Sequence, residues 1–413
     1  LDSTIAIAAY IHIPFCRRRC FYCDFPISVV GNTAHGSHSQ AIGRYVKVLQ
    51  DEIRLTPSLG ACLKTVFFGG GTPSLLAAPQ LRAILETLDQ QFGISPEAEI
   101  SMEVDPGSFS LKELQAYQAA GVNRFSLGVQ AFDDELLALC GRSHRRADIQ
   151  TAVRDLQQAS IQNYSIDLIS GLPTQTLAQW HSALETAIAL QPTHLSTYDL
   201  TIETGTVFGK RYRPGERPLP SDETTAEMYR LAHHLLTQAG YEHYEISNYA
   251  RPGYQCQHNR MYWQNQPFYG FGMGATSYLQ GQRLARPRTT QAYYDWVSGF
   301  ADAETQVVPP SANEVLLDRL MLGLRLAEGV ALSDLSAQFG PGIIHQVWQC
   351  LRPYVQAGWV EAVDATGRNV SATATLDCLQ RLRLSCPEGF LFSNVVLVKL
   401  FERFEAPEFT GSG

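Results

Sequence analysis

The stretch Tyr10-Ile-His12-Ile-Pro14-Phe15-Cys16-Arg-Arg-Arg-Cys20-Phe-Tyr22-Cys23-Asp24-Phe25 decides the reading of this chain. It grows out of the apolar run Ile5 to Ile13, so it reads as a strand that runs into a loop with three cysteines spaced C-x3-C-x2-C. Such a loop sets its thiols at the carboxyl end of a sheet. Thiolates are soft ligands suited to iron–sulfur clusters, copper(I) or zinc. Structural zinc usually takes four protein ligands, and here the local set has three. Three thiolates on a four-iron cluster leave one iron open to a further ligand. The plainer alternative is three reduced cysteines packed as small apolar residues. Three within eight positions, interleaved with arginines and aromatics, make a poor apolar pattern.

Strand and helix signals alternate beyond the loop. Strands are expected at Lys64 to Phe68, Ala98 to Val104, Val122 to Val129, Tyr164 to Ile169 and His194 to Leu200. Helices are expected between them: one with Pro79 in its first turn, Leu111 to Ala120 stopped by Gly121, Ala147 to Ala159, and one capped by Thr176. Six β-α repeats with short loops imply a parallel sheet with helices outside, and such folds place their chemistry where strands end. The expected fold is therefore α/β, an open six-stranded (β/α)6 partial barrel. A small α+β, winged-helix-like C-terminal domain is expected to follow it. The boundaries read as 1-220 for the barrel, 221-308 for an extension, and 309-413 for the last domain. Gly31 to Gln40, with His35 and His38, reads as a loop insertion, and Tyr241 to Tyr278 as aromatic-rich and irregular.

Composition narrows the function classes. The 413 residues are 45% hydrophobic and 17% charged, an ordinary globular balance. A formal net charge of -8 argues against a general nucleic-acid binder. Nine cysteines are an odd number and too few for a disulfide scaffold, so a reducing, cytoplasmic setting is expected. No apolar run is long enough to span a bilayer, and peripheral membrane contact stays open.

Further polar residues fall at strand ends. Gly69-Gly70-Gly71-Thr72-Pro73 closes the second strand, where glycine lets backbone groups approach a ligand. Glu103, Gln130, Arg142 and Asp167 lie at or after strands three, four and five. Carboxylates suit ribose hydroxyls or an ammonium, and arginine suits a carboxylate. Any one of these could be a satisfied strand-end residue, but together they mark one face as a ligand site. A second focus is His258-Asn-Arg-Met-Tyr-Trp263. A neutral imidazole is a common axial ligand of haem iron; the plain alternative is a histidine in a polar loop hydrogen bond. Gly270-Phe-Gly272-Met-Gly274 does not open a helix within a β-α-β unit, so it reads as a close backbone passage, not a phosphate cradle.

Taken together, Y-I-H-I-P-F-C-x3-C-x2-C-D-F and H-N-x-x-Y-W resemble the coproporphyrinogen dehydrogenase-like branch of the radical S-adenosylmethionine (SAM) superfamily, and within it the HemW-type haem chaperones. The similarity runs from Tyr10 to about Tyr278, and again over Glu314 to Gly329 and Leu382 to Asn394. The resemblance implies that Cys16, Cys20 and Cys23 hold a 4Fe–4S cluster whose open iron chelates SAM. It implies SAM contacts at Tyr10, Tyr22, Gly70, Gly71, Thr72, Glu103, Gln130, Arg142 and Asp167, with the glycine run receiving the methionyl amine. It also implies a haem ligand at His258. Members bind haem, are thought to pass it to respiratory haemoproteins at the inner face of the membrane, and are expected to dimerise. Two departures argue against coproporphyrinogen decarboxylation: Phe25 stands where that enzyme has a further cysteine, and only nine residues precede Tyr10. The rival reading is a radical SAM oxidoreductase or methyltransferase acting on a porphyrin or another aromatic substrate.

Overall fold

The computed structural model describes residues 5–31, 35–299 and 310–405. The chain forms two compact units. The first comprises Leu1–Tyr241, Tyr249–His258 and Gln266–Val307; the second comprises Glu242–Asn248, Asn259–Asn265 and Val308–Gly413.

The first unit is built on seven consecutive parallel strands: β1 (Ala8–Ile13), β2 (Leu63–Gly70), β3 (Ile94–Val104), β4 (Arg124–Gln130), β5 (Tyr164–Ser170), β6 (His194–Asp199) and β7 (Tyr269–Phe271). They stand in the order β7-β1-β2-β3-β4-β5-β6. The six expected repeats are present. Helices α1 (Gln40–Leu55), α2 (Ala78–Phe92), α3 (Leu111–Ala119), α4 (Asp134–Leu139), α5 (Arg146–Gln158) and α6 (Leu177–Ala189) occupy the connections. Their starts follow from side-chain caps: Ser39 accepts from the Ile42 amide, while Ser110 with Glu113 and Thr176 with Gln179 form reciprocal capping boxes.

Two elements depart from the sequence reading. Helix α1 buries Ile42, Tyr45, Val46, Leu49 and Ile53, a helical spacing that went unread. Strand β7 lies inside the stretch read as irregular and pairs with β1 through Ala9–Tyr269, Tyr10–Gly270 and Ile11–Phe271. The glycines around it are demanded by close approach. A Cβ on Gly270 would fall 2.2 Å from the Thr276 carbonyl oxygen, and one on Gly272 would fall 2.5 Å from the Tyr45 hydroxyl. Of the expected loop insertion, residues 32–34 lie outside the described residues; His35 is held by Glu113 at 2.8 Å.

The strands alternate in an unusual sense for a parallel sheet, which commonly reads as a continuous apolar run. Ala9, Ile11, Val66, Phe68, Ile100, Met102, Leu127 and Ile166 belong to the apolar core. The intervening positions, His12, Thr65, Glu99, Ser101, Arg124, Ser126, Ser165, His194 and Ser196, are also buried but polar. One face of the sheet packs in the apolar core. The other carries a hydrogen-bonded polar interior.

The second unit holds a four-stranded antiparallel sheet in the order Val330–Ala331, Arg381–Leu384, Val360–Val363, Asn369–Val370. Along the chain it reads helix Ala312–Gly323, strand, helices Leu332–Phe339 and Pro341–Gln356, then three strands. This order agrees with the winged-helix-like expectation. The expected last helix, Phe390 to Phe404, is divided at Phe392 into Glu388–Leu391 and Ser393–Phe404. No helix among the described residues is long and apolar enough to cross a membrane.

Candidate functional site

The cysteine loop is pinned on every side. Phe15–Cys16 pairs in parallel with Ser28–Val29. Arg19 wraps the loop by donating to the carbonyls of Cys23 (3.2 Å), Phe25 (3.0 Å) and Ile27 (3.3 Å), and Arg17 reaches the Gly107 carbonyl at 2.8 Å. Cys16, Cys20 and Cys23 are half-buried and unpaired. Burial pushes the Cys16 thiol up to about 12 against the opposing Thr72 hydroxyl, and it raises Cys23 as well. Thiols so raised ionise when a cation takes the proton's place. Two sulfurs already receive donors: Thr72 Oγ1 at 3.6 Å from Cys16 and Arg142 Nη1 at 3.4 Å from Cys20. Three unpaired soft donors on one fixed loop, with donors to their sulfurs, fit an iron–sulfur cluster.

The glycine run docks directly on this loop. The Gly71 amide donates to the Ile13 carbonyl (2.9 Å) and the Thr72 amide to the Phe15 carbonyl (2.7 Å). A Cβ on Gly71 would lie 2.7 Å from the Phe15 oxygen, so only glycine permits the approach. The Gly70 amide donates to Glu103 Oε2 at 3.1 Å. The amides expected to face a ligand are thus used within the protein. Tyr10 and Glu103 converge beside them. The Tyr10 ring and Glu103 Oε1 both lie within 3.2 Å of the point where Gly69 would carry a Cβ. Burial, then the like charge of Asp167, raises the Glu103 carboxyl to about 8, with the Gly70 amide opposing.

Asp167 shares that interior. Its Oδ1 accepts from Ser196 (2.7 Å), Ser165 (2.9 Å) and Ser126 (3.1 Å), and Ser126 also meets Oδ2 at 2.9 Å. Burial raises its pKa while these three hydroxyls pull it back. Arg142, 8% exposed, is paired with Asp105 and donates to the Gly128 carbonyl at 2.9 Å. Gln130 ends β4 at a φ of 67°, and its Nε2 lies 3.1 Å from where a Gly128 Cβ would stand. Tyr22, half-buried, packs on Phe208 with 6.4 Å between centroids. Asp105, the three serines and His12 were not singled out in the sequence. The signal for the serines was the polar residue at every second strand position.

His258 stands apart from this group. It is the second residue of helix α7 (Gln257–Trp263), is 1% exposed, and bonds Thr65 Oγ1 through Nδ1 at 2.8 Å. Its ring stacks on Phe67 at 5.2 Å, and its amide donates to Glu99 Oε1 at 3.1 Å. Thr65 and Glu99 are paired neighbours in the amino-terminal half of β2 and in β3, four residues, or about 13 Å, below Glu103. The two foci read from the sequence therefore lie at different depths of the sheet. Burial, followed by the charge of Arg124, lowers the His258 pKa to about 3, so the imidazole is neutral.

The model of the radical SAM superfamily matches residues 10–187. The haem chaperone HemW of Synechocystis sp. is 47% identical over 407 residues, covering 96% of this chain and 97% of that protein. HemW of Bacillus subtilis is 35% identical, covering 81% and 87%. Among solved structures, coproporphyrinogen III oxidase (HemN) of Escherichia coli, described as a radical SAM enzyme, superposes with a TM-score of 0.78 at 22% identity. That alignment covers 96% of this chain and 90% of that one, a likeness of fold. With cysteine loop, polar strand interior and full-length relatives in agreement, the chain belongs to the HemW family of the radical SAM superfamily.

Proposed function

We propose that this protein binds haem and hands it to acceptor haemoproteins, respiratory ones at the inner face of the membrane, with a 4Fe–4S cluster and SAM as its cofactors. The observation that carries the reading is identity of 47% across nearly the whole of a protein named as a haem chaperone. Cys16, Cys20 and Cys23 would hold the cluster. Tyr10, Tyr22, Gly70, Gly71, Thr72, Glu103, Gln130, Arg142 and Asp167 would surround SAM. When bound, the cluster supplies an iron that chelates SAM and an electron for its reductive cleavage. The chain's own residues set the environment: Glu103 and Asp167 offer buried carboxylates to a cationic ligand, and Arg142 holds a positive charge against the Cys20 sulfur. The expected homodimer and peripheral membrane contact belong to the same proposal.

His258 is proposed as the haem ligand in a state where helix α7 has released it, because here its ring is enclosed by Thr65 and Phe67. The rival, a radical enzyme acting on a porphyrin or another aromatic, is favoured by the completeness of the SAM-side constellation. Anaerobic cluster reconstitution followed by haem titration, read by absorbance, tests the first reading. Wild type is expected to take up haem at a fixed stoichiometry, and His258→Ala to bind it more weakly. Absence of uptake by wild type would sink the chaperone reading, and unchanged uptake by the variant would assign the iron to another ligand.

The cluster motif has its own test. Cys16→Ala is expected to lose the cluster's broad visible absorbance and its iron, together with dithionite-driven SAM cleavage. Haem transfer that survives in this variant while SAM cleavage vanishes supports the chaperone; transfer lost together with cleavage fits a chaperone that depends on its cluster.

A further inference from the structure

Cys386 takes no part in the cysteine loop, yet its thiol sits in a built environment within the second unit. It follows the strand Arg381–Leu384 and is exposed. Its Sγ lies 2.9 Å from Nδ1 of His243, on the strand Glu242–Glu245 of the same unit. His243 Nε2 lies 3.2 Å from the Ile246 carbonyl oxygen. A carbonyl can only accept, so in the neutral ring Nε2 carries the proton and the Nδ1 lone pair faces the sulfur. Burial, with the charge of Glu361 adding to it, raises the Cys386 thiol to about 12. The proton therefore rests on the sulfur, and the S–H donates to Nδ1.

Both partners are held in place. His243 is 8% exposed, and the Phe390 ring meets it edge-on with 5.1 Å between centroids. The turn that carries Cys386 is pinned on either side. The Ser385 amide donates to the Trp359 carbonyl at 2.9 Å. Ser385 Oγ donates to the Gly358 carbonyl at 2.7 Å and accepts from the Gly389 amide at 2.9 Å. A Cβ on Gly389 would fall 2.0 Å from the Trp359 carbonyl oxygen, so glycine lets the turn close. Cys378 supplies a contrast: it is also exposed, but its thiol meets the Thr375 hydroxyl at 3.5 Å.

A thiol fixed against an imidazole, with the imidazole oriented by a third group, has the geometry of an assisted nucleophile. A thiol that keeps its proton attacks only as a base takes that proton away. In exchange with a disulfide the same proton is then needed by the departing sulfur.

We propose that Cys386 is a site of S-thiolation by low-molecular-weight disulfides, with His243 moving the proton. As Cys386 Sγ attacks one sulfur of the disulfide, its proton passes to Nδ1. The new S–S bond forms, the old one breaks, and the departing thiolate takes the proton from Nδ1 and leaves as a thiol. Cys386 is oxidised to the mixed disulfide and the departing half is reduced, so no other oxidant is required. The proposal rests on neither the haem nor the SAM reading.

The test uses the full-length protein with its cluster reconstituted, kept anaerobic and free of added thiol. The probe is 2-hydroxyethyl disulfide, which is uncharged and whose departing thiolate needs a proton. Acid quenching and peptide mass spectrometry follow each cysteine in time. In wild type, Cys386 is expected to react at least about tenfold faster than Cys378. His243→Gln can donate to Ile246 through its amide nitrogen and accept from the thiol through its oxygen, but it cannot carry the proton. It is expected to slow Cys386 roughly 100-fold, the scale of a lost general base, and to leave Cys378 unchanged. His243→Ala is expected to do the same, whereas a histidine that merely covers the thiol would give faster reaction on removal. Cys386 reacting no faster than Cys378 in wild type, or at its wild-type rate in His243→Gln, overturns the proposal. If the variants do not fold, the wild-type ratio of the two cysteines decides.

Discussion

Arg286→Leu is expected to destabilise the protein by about 3–5 kcal/mol, the cost of leaving a buried charge without its partner. The partner is Glu52, fully buried on helix α1. Its carboxylate accepts from Arg286 Nε at 2.8 Å, the Gly272 amide at 2.8 Å and the Tyr293 hydroxyl at 2.6 Å. These donors come from the end of β7, the segment after the hairpin Thr276–Ala285, and helix α8 (Thr290–Ser298). One carboxylate therefore ties the first helix to three later elements and secures β7 along the edge of β1. Arg286 also lies over the Trp296 ring at 5.3 Å, and leucine loses that contact too. Urea unfolding followed by circular dichroism measures the effect. The double variant Glu52→Leu with Arg286→Leu is expected to recover part of the loss, since it removes the uncompensated charge along with its partner. A cost below about 1 kcal/mol for Arg286→Leu would show that water or a proton replaces the guanidinium.

This network also shows where sequence reading stops. The six β-α repeats were legible because each carries its own local evidence: an apolar run, a cap such as Ser110 or Thr176, a stop such as Gly121. Strand β7 was not. Three residues, Tyr269-Gly270-Phe271, are too few to show a period, and the strand exists because it pairs with β1, some 260 positions away in the chain. Helix α1 was legible in principle, since Ser39 caps it and Ile42, Tyr45, Val46, Leu49 and Ile53 recur at helical spacing. The site divides along the same line. Cysteine spacing and the glycine run are local patterns, and their docking through Gly71 and Thr72 follows from adjacent strands. The pairing of Asp105 with Arg142 and the three serines around Asp167 arise only when strands lie side by side, so no window of sequence displays them. His258 shows the converse. A recognisable block marked the residue, while its enclosure by Thr65, Phe67 and Glu99 depends on two strands more than 150 residues earlier.

Below pH 8 the affinity for SAM is expected to rise about one decade per pH unit more steeply in the wild type than in Glu103→Gln. The argument starts from Glu103, whose burial and proximity to Asp167 raise its carboxyl to about 8. Below that value the empty site holds Glu103 protonated, and cationic SAM can pair with its carboxylate only after the proton leaves. Each pH unit below the folded pKa therefore costs about one decade of affinity. Above pH 8 Glu103 is already ionised and the two profiles run parallel. Calorimetry in two buffers of different ionisation heat is expected to register nearly one proton more released per SAM bound at pH 7 by the wild type than by Glu103→Gln. The same shift has a sign for stability. A carboxyl at about 4.5 in the unfolded chain and about 8 in the folded one stabilises the fold fully below pH 4.5, and that contribution is lost as pH rises through 8. SAM restores it by supplying the counter-charge, so the rise in melting temperature on adding SAM should be larger at pH 8 than at pH 6. Equal slopes and equal proton release in wild type and Glu103→Gln would separate Glu103 from the positive charge of SAM and assign that charge to the Asp167 serine cluster instead, where three hydroxyls already favour the ionised carboxylate.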